Sequence, residues 1–120
     1  MIPEARVAQP VTESEAARLA REMFSLDAAA KSLPGEYDDN FHLSSVQGRE
    51  FVLKVMHPAR EQSFVRMQCR ALEHLAKRVP HLSLPRVCPR PNGDAHALAT
   101  LPDGTKRLLW LLTYVPGTVL

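Results

Sequence analysis

The residue of most chemical interest is Lys54, which lies in the run Phe51-Val52-Leu53-Lys54-Val55-Met56. The run alternates with a period of two, as a half-buried strand does, so Val52, Lys54 and Met56 share one face. Because an ammonium group is costly to remove from water, a lysine between apolar neighbours usually has an acceptor or an anionic ligand nearby. The strand alone leaves a second interpretation open, in which Lys54 lies on an edge strand and extends into water.

The segments before this strand predict how it is held. Thr12-Glu13-Ser14-Glu15 fits a capping box, in which Thr12 caps a helix over about residues 13–25 and Glu15 reaches back. Residues 30–33 form a short candidate strand, and residues 34–40 are rich in turn-forming side chains. Residues 41–46 alternate as a second strand, and Gln47-Gly48 predicts a two-residue hairpin turn into the lysine strand.

A long helix is predicted after the lysine strand, from about residue 59 to residue 78. Pro58 suits its first turn, and Pro80 stops it. Gln68 lies on the stripe that is predicted to pack inward and is the polar residue there. The apolar residues of that stripe recur at helical spacing: Phe64, Met67, Ala71, Leu72, Leu75, Ala76 and Val79.

The remaining sequence is typical of strands separated by turns. Short strands are predicted at residues 85–88 and 95–101, and a long apolar strand at residues 106–115. A nearly continuous apolar run indicates burial on both faces, so the last strand is expected to be central. The predicted fold class is α+β: an antiparallel sheet with an N-terminal helix and a long helix after the lysine strand, both helices on one side.

Composition and charge argue against several kinds of function. The 120 residues suit one domain, with residues 1–11 as a flexible arm and residues 12–120 as the folded lobe. No apolar run approaches the ~20 residues that span a bilayer, and no signal peptide is evident, so a cytoplasmic protein with no membrane partner is expected. A net charge of +2 is too small to argue for nucleic acid. Cys69, Cys88 and the scattered histidines form no metal motif, so no metal site is predicted.

In their order along the chain, these segments resemble the N-terminal lobe of a kinase-like fold. More narrowly, they resemble the aminoglycoside phosphotransferase and choline kinase superfamily, and within it the hydroxylysine-kinase-like phosphotransferases. In bacteria that subgroup occurs alone or fused ahead of a class III aminotransferase. The resemblance is carried by residues 33–41, 48–55 and 68–75 and by Leu111-Leu112-Thr113-Tyr114-Val115-Pro116-Gly117.

The resemblance implies that the lobe binds ATP and that Lys54 grips its phosphates. Gln68 stands where many kinases place a glutamate, so it is expected to orient the lysine through its carbonyl oxygen. Glu61 and Glu73 are alternative partners for Lys54. The turn at residues 35–40 would cover the phosphates, with Asn40 locking the turn or acting as a direct ligand.

The adenine ring is assigned to a second group of residues. Val52 and Leu33 are expected to pack on it, and backbone groups near Thr113 and Val115 to bond its edge. Pro116 has no N–H and cannot donate. The carboxylates of Glu36, Asp38 and Asp39 would repel phosphate, so these side chains are expected to face away or to hold the turn.

No catalytic residue is expected within these 120 residues. In the superfamily an HxDxxxxN-like segment and a later metal-binding Asp lie in a second lobe, and neither pattern occurs here. We therefore expect a fragment that is inactive alone and whose full-length form uses ATP and Mg. Its small-molecule substrate would offer a hydroxyl on an amino acid, an amino alcohol or an aminoglycoside-like compound. The alternative is a non-catalytic α+β module that binds a protein or self-associates through the face a second lobe would meet.

Overall fold

The computed structural model describes residues 10–34 and 37–116, which form two helices and six strands. All the strand pairings are antiparallel. The order across the sheet is β1-β2-β3-β6-β4, and β5 also pairs with β6. This is the predicted α+β fold. In chain order the elements are α1 (Glu13–Phe24), β1 (Ala28–Leu33), β2 (Asp39–Ser45), β3 (Glu50–Val55), α2 (Gln62–Arg78), β4 (Val87–Cys88), β5 (Ala97–Thr100) and β6 (Lys106–Thr113).

Some sequence predictions fall outside these ranges. They concern nearly all of the predicted arm (residues 1–9), Gly35 and Glu36 of the predicted turn, and Gly117 after the last strand. In the part of the chain that is described, neither helix is long and apolar enough to cross a membrane.

Helix α1 begins at a side-chain cap. The Thr12 hydroxyl accepts a hydrogen bond from the backbone N–H of Glu15 at 3.1 Å, as predicted. The Glu15 carboxylate pairs with Arg18, so only half of the predicted capping box forms. Ser25 ends the helix in the left-handed conformation with a φ of 54°.

The sheet has a hydrophobic core on each face, and one helix covers each core. Phe41, Leu53 and Leu111 lie in register on neighbouring strands and pack with α1. Val52 lies on the opposite face and packs with Val65 of α2. The expectation that both helices lie on one side was therefore wrong. Strands β3 and β6 are apolar on both faces, so each face needs its own cover.

Helix α2 presents a different side to the sheet from the predicted one. It begins at Gln62 rather than near residue 59, and Pro58 lies in a turn before it. Its buried residues are Val65 and Cys69, whereas Met67 is 60 % exposed and Leu75 is 43 % exposed. Because α2 carries apolar residues around much of its circumference, the sheet selects the side that is buried.

The β2–β3 hairpin closes with a three-residue loop rather than the predicted two-residue turn. The Ser45 N–H donates to the Arg49 carbonyl at 2.8 Å, which leaves Val46, Gln47 and Gly48 in the loop. Gly48 has a φ of 82°, a conformation that favours glycine. The loop sets the register that places Asn40 opposite Lys54.

Strand β6 is central, as its apolar sequence predicted, with β3 on one side and β4 and β5 on the other. The second residue of β6, Arg107, is charged and yet buried, with 2 % of its surface exposed. The Arg107 guanidinium donates from Nη2 to Asp39 Oδ2 at 2.9 Å and from Nε to the Met56 carbonyl at 2.5 Å. This buried ion pair ties the start of β6 to the start of β2.

Candidate functional site

Four residues lie in register across the sheet on the face that α2 covers. Leu33 of β1 pairs with Asn40 of β2, Asn40 with Lys54 of β3, and Lys54 with Trp110 of β6. Residues paired in this way point to the same side of the sheet. The Lys54 side chain is therefore flanked by the Asn40 amide and the Trp110 indole.

Lys54 lies in the interior of the sheet, because β3 runs between β2 and β6. The edge-strand interpretation of this lysine is therefore wrong. Burial lowers its pKa from the ordinary value, the nearby Asp38 carboxylate raises it, and the Arg60 guanidinium lowers it further. Lys54 is thus a partly desolvated cation with charges of both signs close to it.

Asn40 lies inside β2 rather than in the turn to which the sequence pattern assigned it. Its side-chain oxygen Oδ1 is buried and has no hydrogen-bond partner among the described residues. Most buried polar atoms in folded proteins do have a partner. An unsatisfied acceptor therefore lies on the strand position directly opposite Lys54, whose ammonium is a donor.

Gln68 lies on α2, which packs against the same face of the sheet that carries Lys54. Its side chain is half-buried. No hydrogen bond joins it to Lys54 in the described structure, so their contact stays a prediction. The alternative partners are no better placed: Glu61 is the exposed N-cap residue of α2, and Glu73 is exposed on the same helix.

The two residues predicted to pack on adenine belong to one hydrophobic cluster. Val52 is 1 % exposed there, and Leu33 packs against the cluster from its border. A flat ligand can reach Val52 only after a covering side chain moves. Tyr114 packs on the same cluster and is half-buried, and its ring meets the His42 ring edge-on at 4.8 Å.

Thr113 ends β6 and Val115 follows it, and only one of these two predicted adenine contacts has a backbone without a partner among the described residues. The Thr113 N–H donates to the Arg86 carbonyl at 2.9 Å, and the Thr113 hydroxyl accepts from the Arg86 N–H at 2.9 Å. Val115 has no backbone hydrogen-bond partner among the described residues. Of the two residues, Val115 is therefore the one whose N–H and carbonyl remain available to a ligand.

A charged cluster beside Lys54, built around Asp38 and Arg60, was missed by sequence reasoning. Arg60 donates from Nε to Asp38 Oδ1 at 3.3 Å and from Nη2 to Asp38 Oδ2 at 3.2 Å. The His57 N–H donates to Asp38 Oδ1 at 2.7 Å. Asp38 and Asp39 are therefore each hydrogen-bonded to an arginine at the start of β2. No local pattern predicts these contacts, since Asp38 and Arg60 are 22 residues apart. Glu36, the third carboxylate expected to face away or to hold the turn, lies outside the described residues.

Aromatic rings complete the cluster. The Arg60 guanidinium lies over the Tyr37 ring at 4.3 Å and over the Phe64 ring at 4.5 Å. The Tyr37 ring also stacks on that of His57, with 4.0 Å between centroids. Within the described ranges, no group of three or more His, Cys, Asp or Glu side chains is placed to hold a metal ion. With two cationic side chains, Lys54 and Arg60, and one carboxylate, Asp38, the cluster carries more positive than negative charge.

Comparison with known proteins identifies the family. Residues 8–120 match the sequence model of the phosphotransferase enzyme family. The chain is 28 % identical over 116 residues to a hydroxylysine kinase of Danio rerio, and the match covers 92 % of this chain and 32 % of that protein.

A solved structure has the same fold. It is that of a microcompartment-associated aminopropanol kinase, with a TM-score of 0.68 and 14 % identity. The match covers 88 % of this chain and 33 % of that one, so this chain spans about a third of the length of both relatives. The resemblance to the aminoglycoside phosphotransferase and choline kinase superfamily is confirmed, and the chain belongs to the phosphotransferase enzyme family.

Proposed function

We propose that this chain is the ATP-binding lobe of a small-molecule kinase. The observation that carries the proposal is Lys54, a partly buried cation inside the sheet whose pKa is lowered chiefly by burial. It has no hydrogen-bond acceptor among the described residues. A desolvated ammonium is stabilised by an anion, and the phosphates of ATP supply one. Membership of the phosphotransferase family supports this choice of anion.

The proposed contacts follow from the positions around Lys54. Asn40 and Gln68 are the candidates to orient its ammonium toward the phosphates. Val52 and Leu33 would pack on the adenine ring after the cluster opens, as at many apolar ligand sites. The free backbone of Val115 is better suited to the adenine edge than that of Thr113, whose N–H already donates to Arg86.

The proposed phosphate acceptor is a hydroxyl on a small molecule that also carries an amine. Support comes from the names of the two relatives, a hydroxylysine kinase and an aminopropanol kinase, since each name describes an amine with a hydroxyl. The HxDxxxxN-like segment that the superfamily carries in its second lobe does not occur in these 120 residues. We therefore assign to this lobe the binding and orientation of the nucleotide, and we expect the isolated chain to transfer no phosphoryl group.

A fluorescence titration tests nucleotide binding directly. Trp110 is the one tryptophan of the sequence and lies in register beside Lys54, so its emission should report a ligand at the site. ATP should change the emission of the wild-type chain, and Lys54→Met should abolish that change while circular dichroism stays native. Lys77→Met removes a lysine at the exposed end of α2 and should leave ATP binding unaltered. An ATP response that survives in Lys54→Met would contradict the proposal.

A non-catalytic interaction module is the second candidate. One observation favours it: Met67 and Leu75 are large apolar side chains exposed on α2. Exposed apolar surface of this kind can mark a protein interface. A folded chain that does not respond to ATP, and that self-associates in analytical ultracentrifugation until Met67→Ser and Leu75→Ser are introduced, would support this candidate instead.

A further inference from the structure

Arg60 has an unusual set of contacts for a surface arginine. It lies in the connection between β3 and α2, with the Tyr37 and Phe64 rings against its guanidinium. Two of its nitrogen atoms, Nε and Nη2, bond the Asp38 carboxylate. Its third donor nitrogen, Nη1, has no partner among the described residues. The same forked geometry that binds a carboxylate binds a phosphate.

We infer that Arg60 is a second phosphate-binding cation of the nucleotide site, and that the Asp38 carboxylate occupies it until phosphate displaces that carboxylate. The inference rests on the proposed ATP-binding function and deepens it. Asp38 would act as an internal stand-in for the phosphate group, and ATP binding would exchange one anionic partner of Arg60 for another.

The charges around Lys54 favour this exchange. Asp38 and Arg60 both lie close enough to Lys54 to shift its pKa, in opposite directions. One carboxylate cannot neutralise an ammonium and a guanidinium together, so the three groups keep a net positive charge. A nucleotide phosphate would supply the missing negative charge. Without Arg60, the Asp38 carboxylate would repel that phosphate.

Arg60 can separate from Asp38 without freeing the segment before β2 that Asp38 anchors. Asp38 keeps a second anchor in the His57 N–H, and at 2.7 Å this bond is shorter than either contact with Arg60. The Arg60 side chain is 29 % exposed and lines an open cavity of about 450 Å³ at the start of α2. Because Arg60 is partly exposed and borders this open space, its side chain can exchange partners without first being uncovered by another element.

Affinities for ATP and for adenosine test the inference, because adenosine lacks the phosphates. Arg60→Gln should weaken ATP binding about tenfold or more, the worth of a charge-assisted hydrogen bond, and leave adenosine binding unchanged. Arg60→Lys keeps the charge but loses the forked geometry, so its affinity for ATP should lie between those of the wild type and Arg60→Gln. If Arg60→Gln does not fold, Arg60→Lys serves as the test. Arg66→Gln removes an exposed arginine of α2 and is the matched control.

The direction in which Asp38→Asn changes the affinity for ATP distinguishes this inference from a purely structural role of the Asp38–Arg60 pair. Removal of the competing carboxylate should tighten ATP binding, about fivefold, and should do so only while Arg60 is present. A weaker or unchanged affinity in Asp38→Asn would show that the pair is only a brace for the turn. If Arg60→Gln binds ATP like the wild type while Lys54→Met does not, the inference fails and the nucleotide-binding lobe stands. If the wild-type chain does not bind ATP, both the role of Arg60 and the proposed ATP-binding function are wrong.

Discussion

Asn40 and Lys54 face each other across β2 and β3, and the buried Oδ1 atom of Asn40 accepts no hydrogen bond from a described residue. A buried acceptor left in this way costs about 1–3 kcal/mol. The ammonium on the opposite strand position carries three N–H donors. A hydrogen bond from the Lys54 ammonium to Asn40 Oδ1 would satisfy both groups at once. We therefore expect Asn40 to position Lys54 for the nucleotide.

Substitution of Asn40 should change both the titration of Lys54 and the affinity for ATP. Asn40→Asp places a carboxylate beside the ammonium and should raise the pKa of Lys54, which NMR of ¹³C-labelled lysine would measure. Asn40→Leu should weaken ATP binding while the fold, judged by circular dichroism, is kept. Gln68→Leu is the matched comparison on α2. If it weakens ATP binding while Asn40→Leu does not, Gln68 and not Asn40 orients the lysine.

ATP binding should weaken in alkaline solution before an ordinary lysine would lose its proton. Phosphate binds the protonated form of Lys54, and burial lowers the pKa of this residue below its usual 10.5. As pH rises through that lowered pKa, the charge is lost and affinity falls with it. Trp110 fluorescence titrations with ATP at a series of pH values from neutral upward would show the decline. A flat wild-type profile up to the pKa of a free lysine would contradict the assignment.

Loss of the buried Arg107 should destabilise the fold strongly. Arg107→Met leaves the Asp39 carboxylate buried without its guanidinium and removes the bond to the Met56 carbonyl, so the free energy of unfolding should fall by about 3 kcal/mol or more. Lys106→Met changes the exposed neighbour and should cost about 0.5 kcal/mol or less. Urea unfolding of the two variants gives the comparison, and equal stabilities would show that the buried pair contributes nothing net.

The thiol of Cys69 should react slowly in the native chain. Burial, aided by the nearby Glu73 carboxylate, raises the pKa of Cys69 from 9.0 to about 11. The reactive thiolate is therefore about a hundredfold rarer than at an exposed cysteine. Labelling with a disulfide reagent in a Cys88→Ser background, with and without urea, measures the protection of Cys69 alone. Native labelling as fast as in urea would contradict the burial of this thiol.

Several features follow from short stretches of sequence because their causes are local. Alternation around Lys54 predicts a strand and places Val52 on the same face as the lysine. The apolar run of β6 predicts a central strand, and Thr12 marks the start of α1. These predictions are confirmed, since side-chain periodicity and capping depend on residues within a few positions of one another. The same local patterns, with the resemblance to the superfamily, were enough to select Lys54 as the residue of interest.

The surroundings of Lys54 were decided by tertiary structure. Asp38 meets Arg60 across 22 residues, and Asp39 meets Arg107 across 68, so neither pair leaves a local signal. The side of α2 that is buried, and the placement of the two helices on opposite faces, depend on the apolar surface that the assembled sheet presents. Sequence by itself therefore determined the strand, the face and the cation. The register of β2 against β3 and the packing of the β3–α2 connection determined which acceptor, carboxylate and second cation surround it, because those contacts join residues that only folding brings together.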